Sequence, residues 1–215
     1  MSDEPLEDLV VARPVLRSER VFDGMIWEVR RDTVDLGTAG TVRREYVRHP
    51  GAVTVLALDG RDRVLMIRQY RHAVGMELWE LPAGLLDVDG ESPLAAARRE
   101  LAEEADLVAA RWDVLAEWFN SPGGMDEAVR LYLARDLSPV PDGDRHERID
   151  EELDMPVRWV PLGQARDAVM AGLVHNPGSV VGILAAVTAR DLGWSTLRPA
   201  DAPWPAHPAF RPSPG

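Results

Sequence analysis

Leu81-Pro82-Ala83-Gly84, a loop from Leu85 to Gly90, Glu91, then Arg99-Glu100-Leu101-Ala102-Glu103-Glu104 is the stretch on which the rest of the chain turns. Ser92 before Pro93 predicts a helix start, with a hydroxyl N-cap and proline at the first helical position. Leu94 to Ala105 is built from Ala, Leu, Glu and Arg, all strong helix formers. Residues three and four apart share a helix face, so Glu100, Glu103 and Glu104 project within an arc of roughly 100°. Like charges so placed repel, and a bound cation is a physical reason to gather them. The competing reading of such a run is an ordinary solvated helix face. What separates the two is the frame: a glycine turn, one glutamate at the loop end, Arg-Glu eight residues on, then the double glutamate.

That frame resembles the signature of the Nudix hydrolases, with Gly84, Glu91, Arg99, Glu100, Leu101, Glu103, Glu104 and Leu107 in register. Two departures stand out. The loop between Gly84 and Glu91 carries one residue more than the family pattern, in a turn with Asp87, Asp89 and Gly90. It precedes the helix, so the register of the three later glutamates is unaffected, while the role of Glu91 becomes an open question. Asp106 stands where the pattern has glycine, at a helix end that favours a left-handed residue; Asp is among the few other types that enter that region.

Composition bounds the function. A chain of 215 residues, 46% hydrophobic and 28% charged, has the make-up of a globular protein with a sizeable core. No apolar run approaches a membrane span and no basic-then-apolar start reads as a signal peptide, so the expectation is no membrane association. The absence of cysteine excludes disulfides, thiolate metal sites and a cysteine nucleophile, and fits a cytoplasmic location. The five histidines lack zinc-site spacing. A net charge of −12 argues against nucleic-acid binding. It also opposes a phosphate substrate unless a divalent cation and local arginines reverse the field.

Outside the helix, the pattern predicts strands within Val21–Asp35, Thr41–Val47, Gly51–Leu58, Val64–Tyr70, Trp112–Phe119, Ala128–Ala134 and Val157–Val160. It predicts further helices over Leu162–Leu173 and Ser179–Leu192. Strands interspersed with helices give an α/β class, and the resemblance specifies a Nudix α/β/α sandwich. Residues 1–48 read as an extension with a small β-region, too small to bury its own core and expected to take part in dimerisation. Residues 49–193 read as the hydrolase domain. Residues 194–215 form a proline-rich tail with Trp194 and Trp204, which is either irregular or docked.

Further motifs narrow the resemblance to the ADP-ribose pyrophosphatase branch, in its actinobacterial-type form with the longer GLLDVxGE loop. These are Arg68-Gln69-Tyr70-Arg71, Leu78-Trp79-Glu80 leading into the glycine turn, Ser121-Pro122-Gly123-Gly124 with Asp126-Glu127, and VRREYVRHPGAV over Val42–Val53. The resemblance implies hydrolysis of the diphosphate of ADP-ribose to AMP and ribose 5-phosphate, with Mg²⁺ or Mn²⁺ as cofactor and a homodimer as the assembly. It makes Glu100, Glu104 and the Ala83 carbonyl metal ligands, with Glu103 ligating or assisting catalysis. Arg99 orients the glutamates. The general base is Glu152, with Glu151 in reserve. Arg71, Arg44, Trp27, Glu127 and Glu80 are the substrate-binding candidates, Trp27 having a core position as its rival reading. Other activities within reach are a diphosphatase for another nucleoside diphosphate derivative (an ADP-sugar, GDP-mannose or an oxidised nucleotide) and a non-catalytic ligand sensor. Retained carboxylates and the acidic charge weigh against the sensor.

Overall fold

The computed structural model describes residues 5–143, 145–146 and 155–211. They form two compact units, one drawn from Met1–His49, Ser121–Glu127 and Trp204–Gly215, the other from Pro50–Asn120 and Ala128–Pro203.

The first unit is built on an antiparallel meander of β1 (Val15–Asp23), β2 (Glu28–Asp35) and β3 (Thr41–Arg48). The leading strand starts well before Val21. Its run Arg17-Ser18-Glu19-Arg20 shows no apolar alternation, and it is tied to the sheet by charge instead. Arg31 of β2 reaches Glu19 at 3.2 Å and Glu45 at 2.7 Å. At the β1–β2 turn the Gly24 N–H donates to the Trp27 carbonyl at 2.9 Å. A side chain at Gly24 would meet that same carbonyl, which explains the glycine. The turn leaves Phe22, Met25, Ile26 and Trp27 exposed. Beside β3, the Val47 N–H donates to the Gly124 carbonyl (2.9 Å) and the Asp126 N–H to the Val47 carbonyl (3.1 Å).

The second unit holds a five-stranded sheet in the order β11-β8-β9-β4-β7 and a three-stranded sheet in the order β10-β5-β6. The strands are β4 (Ala52–Ala57), β5 (Arg63–Arg71), β6 (Met76–Glu80), β7 (Ala83–Leu85), β8 (Leu107–Phe119), β9 (Ala128–Pro139), β10 (Val157–Pro161) and β11 (Arg198–Pro199). The helices are α1 (Pro93–Ala105), α2 (Leu162–Met170) and α3 (Pro177–Asp191). Strand β4 explains the layering. Val53, Val55 and Ala57 pack with Ala96, Ala97 and Leu101 of α1. Leu56, of opposite parity, packs with Leu162 of α2 and with Ile183 and Ala186 of α3. A strand buried on both faces reads as a continuous apolar run, as GAVTVLAL does, and β4 runs parallel to β9 as such strands often do. The α/β/α sandwich is therefore present.

The helix starts follow the sequence. Ser92 Oγ accepts from the Ala95 N–H at 3.2 Å, and Asn176 Oδ1 from the Ser179 N–H at 3.1 Å, each before a proline. Asp106 closes α1 at φ 52°, ψ 36°, in the left-handed region. The described part of the tail is docked. Arg198 and Pro199 pair with Val114 and Asp113 of β8, and the buried Arg130 donates to the carbonyls of Ala202 (2.8 Å) and Pro203 (3.1 Å). Arg130 is neutralised by Glu117 at 2.6 Å. In the other unit, Trp204 is buried against His207 and Phe210. Among the described residues no helix is long and apolar enough to cross a membrane.

Candidate active site

Strand β6 delivers the chain to Pro82, and the short β7 then pairs with β4 so that Gly84 lies opposite Val53 and Ala83 opposite Thr54. This seats the glycine turn at the edge of the sheet, beneath the carboxylate face of α1. Two contacts lock helix to turn. The Ala83 N–H donates to Glu104 Oε2 at 2.9 Å, and Glu104 is only 6% exposed. The Glu100 side chain lies directly over Gly84, in the space that any Cβ at that position would need. Glycine is thus required here by close approach and not by an unusual dihedral angle.

Arg99 is the hub of the cluster. Its guanidinium forks onto Glu91, with Nε to Oε1 at 3.1 Å and Nη2 to Oε2 at 3.0 Å. Its Nη1 donates to Glu100 Oε1 at 2.6 Å and to Glu103 Oε2 at 3.1 Å. Its hydrogen bonds to Glu91 foremost, then the charges and acceptors of Glu100 and Glu103, hold the guanidinium pKa well above its ordinary value against the opposing effect of burial. The longer loop therefore still returns Glu91 to the helix. Its role, open in the sequence, is to grip Arg99 from the side opposite Glu103. The spacing alone hid this, because the partners lie eight residues apart across a helix start.

Three carboxylates on one guanidinium, with Glu104 beside them on the Ala83 N–H, leave the cluster's own residues anionic in sum, and all its donors are hard oxygens of the kind that select Mg²⁺ or Mn²⁺. Among the described residues no three acidic or histidine side chains already converge on a single ion position. Glu100 and Glu103 turn toward Arg99, and Glu104 toward the Ala83 N–H. The donor set fits a divalent cation after side-chain rotation, with the packing of Glu100 over Gly84 keeping one carboxylate at the turn.

Arg71 and Glu80 lie on one face of the β5–β6 pair, in a two-bond fork of 2.9 and 2.8 Å. Glu80 is 2% exposed with both oxygens on Arg71, whereas the Arg71 side chain is 44% exposed. Glu80 thus sits behind the arginine, with Arg71 between it and solvent. In the other unit, Trp27 is 51% exposed, which removes the core reading for it. It lies 6.2 Å from the ring of His49. Glu127 approaches His49 Nε2 at 3.9 Å, and Arg44 is exposed on β3 with its guanidinium on the Arg43 carbonyl. Burial pushes the His49 pKa down, against the upward pull of Glu127 and Asp126. Glu151 and Glu152 lie outside the described residues.

Comparison with known proteins gives the family. The NUDIX domain model matches residues 48–177. The chain is 43% identical over 189 residues to the ADP-ribose pyrophosphatase of Mycobacterium tuberculosis (strain ATCC 25618 / H37Rv), covering 88% of this chain and 89% of that one. It is 38% identical over 168 residues to the methanol dehydrogenase activator of Bacillus methanolicus, covering 78% and 89% respectively. A crystal structure of an ADP compounds hydrolase superposes with a TM-score of 0.69 over 87% of this chain and 99% of that one; at 23% identity it speaks for the fold alone. With its sandwich, its glycine turn and its arginine-centred glutamate helix, this chain belongs to the Nudix family.

Proposed function

We propose that the protein hydrolyses the diphosphate bond of ADP-ribose, giving AMP and ribose 5-phosphate, as a homodimer that needs Mg²⁺ or Mn²⁺. The observation that carries the reaction class is the glutamate cluster of α1 gathered over Gly84 around one arginine. The substrate rests on kinship with the mycobacterial pyrophosphatase and on the branch motifs.

Glu100, Glu104 and the Ala83 carbonyl would hold the cation, with Glu103 assisting. When bound, the cation supplies charge neutralisation on the phosphoryl oxygens and acidifies a water. Arg99 keeps the glutamates from repelling one another and fixes their rotamers. Arg71, held from behind by Glu80, presents a preorganised guanidinium to the diphosphate, and the buried fork means it need not reorganise as substrate arrives. Glu152, with Glu151 in reserve, would take the proton from the attacking water as general base. The proposed contacts of Trp27, Arg44 and Glu127 with the nucleoside rest on the resemblance, Trp27 being donated by a second copy. Dimerisation is supported by exposed apolar side chains within the first unit, Phe22, Met25, Ile26 and Trp27 at the turn and Leu6, Leu9, Val10 and Val11 ahead of β1. A cytoplasmic enzyme without nucleic-acid or membrane partners completes the proposal.

The test is turnover with Mg²⁺ across a panel of nucleoside diphosphate derivatives, with products identified. ADP-ribose should be the best substrate and AMP a product. Turnover of an ADP-sugar, GDP-mannose or an oxidised nucleotide at least as efficient as that of ADP-ribose would overturn the substrate, and no turnover of any would overturn the enzyme.

A further inference from the structure

The small sheet β10-β5-β6 presents different residues on its two faces. Ile67, Arg71 and Glu80 share one face, while Met66, Arg68, Trp79 and Arg158 share the other. Between this second face and α2 lies a cavity of about 240 Å³ that opens to solvent. Met66, Val160 and Ala165 of its lining are buried and Trp79 is half-buried, whereas Arg158 and Gln164 are exposed. Trp79 is held in place. Its carbonyl accepts from Ser179 Oγ at 3.1 Å, and the Arg68 guanidinium carbon lies 5.5 Å from its ring centroid.

An apolar hollow with a small number of polar groups at its mouth has the anatomy of a ligand site. Its volume falls below the range of roughly 300–1,000 Å³ for drug-sized ligands, so a single ring with one short substituent is the right size. The polar groups specify that substituent. A guanidinium fork matches a carboxylate in plane and charge, and a carboxamide adds a second donor. Among the described residues no carboxylate pairs with Arg158. Arg68 nearby is paired with Glu77 at 3.1 Å, so in a chain of net charge −12 it is Arg158 in the cavity lining that makes a local exception where an anion is favoured.

We infer that this cavity binds a small monocarboxylate with an aromatic or branched apolar body. The body packs on Trp79 and Met66, and the carboxylate meets Arg158 with Gln164 beside it. The site is separate from the glutamate cluster: α1 packs with Leu65 and Ile67, whose side chains lie on the opposite face of the same sheet from Met66, and Arg71 and Glu80 share that opposite face. It is independent of which nucleotide the enzyme hydrolyses.

The experiment is a titration of the full chain with benzoate, benzyl alcohol and benzylamine, followed through the Trp79 indole N–H resonance. Benzoate should give a saturable shift, with binding roughly tenfold or more tighter than benzylamine. Arg158→Glu should reverse that order, and Ala168→Phe, which fills the cavity, should abolish the shift; both should keep wild-type hydrolysis. Equal affinity for the three probes, a shift that never saturates, or benzoate binding that survives both substitutions would overturn the site. If Ala168→Phe lowers the melting temperature, the surface variant Arg158→Glu decides the matter alone.

Discussion

Arg99 grips Glu91 with two parallel hydrogen bonds of 3.1 and 3.0 Å, from a helix position eight residues further along the chain. This fork fixes the guanidinium from one side while Glu100 and Glu103 draw on it from the other. Lysine keeps the charge but cannot form the fork. Arg99→Lys and Glu91→Gln should each lower kcat/KM by about 10–100-fold and weaken Mg²⁺ binding in parallel, the usual effect of removing a partner that orients ligands. Kinetics at titrated Mg²⁺, beside thermal melts, measure this. Wild-type behaviour in Arg99→Lys would reduce the fork to a surface ion pair worth ~0–1 kcal/mol. Since its partners raise the guanidinium pKa still further, no limb of the pH–rate profile should belong to Arg99.

A methyl group at Gly84 must push the Glu100 carboxylate aside, but that carboxylate ends a flexible side chain. Gly84→Ala should therefore melt within a few degrees of wild type while losing activity on the order of 100-fold, the scale of an ångström-sized misplacement. Glu104→Gln should do more, by about 10³-fold or beyond, if the carboxylate contributes several kcal/mol of charge stabilisation. A Gly84→Ala variant that unfolds, or that works at full rate, would contradict the close-approach reading.

Arg130 is 3% exposed and sits between Glu117 and two tail carbonyls. Removing one partner of a buried pair typically costs about 3–5 kcal/mol. Arg130→Ala should destabilise the fold on that scale in urea and open residues near 198–203 to limited proteolysis. A stable variant with a protected tail would show that β11 pairing alone holds the segment.

Burial lowers the His49 pKa below its value in the unfolded chain. In the window below the ordinary histidine pKa of about 6.5, the unfolded state then binds more protons than the folded one, so stability rises with pH there. The contribution is complete above that value and is lost as pH falls through the depressed folded pKa. His49→Gln should flatten this part of the stability curve below about pH 6.5, leaving the slope due to carboxylates. The His49 N–H bond to Asp126 Oδ1 at 2.8 Å comes from the backbone and survives the substitution. Identical slopes in the two proteins would remove His49 as the source.

The sandwich was legible because its central strand is β-branched and apolar but for Thr54 and its first helix carries an explicit start at Ser92-Pro93; the start of α3 at Asn176-Pro177, ahead of the predicted Ser179, went unread. Boundaries failed where charge replaces hydrophobicity. Strand β1 runs through Arg17 to Arg20, and β9 extends past the predicted segment through Arg135 and Asp136, where polar side chains meet solvent; β8 instead starts early at Leu107 in a short apolar run directly after the helix end. Strands β6 and β7 escaped because five and three residues are too few for a period to register. In the site, helical spacing gathers Glu100, Glu103 and Glu104. Nothing local shows that Glu80 faces inward to Arg71, since that depends on the register of β5 against β6. The grip of Glu91 likewise depends on the path of a loop.

The two-residue β11 lies along the outer side of β8, and its second member, Pro199, has no N–H with which to extend a ladder. A proline at that place admits one short neighbour and refuses the next, a device by which sheets keep an edge from recruiting further strands. Chains cut before residue 198 should bare that edge and associate on standing, which light scattering at raised concentration would register as growing particles. For anyone shortening this protein to make crystals, the proline-rich end is the part to keep.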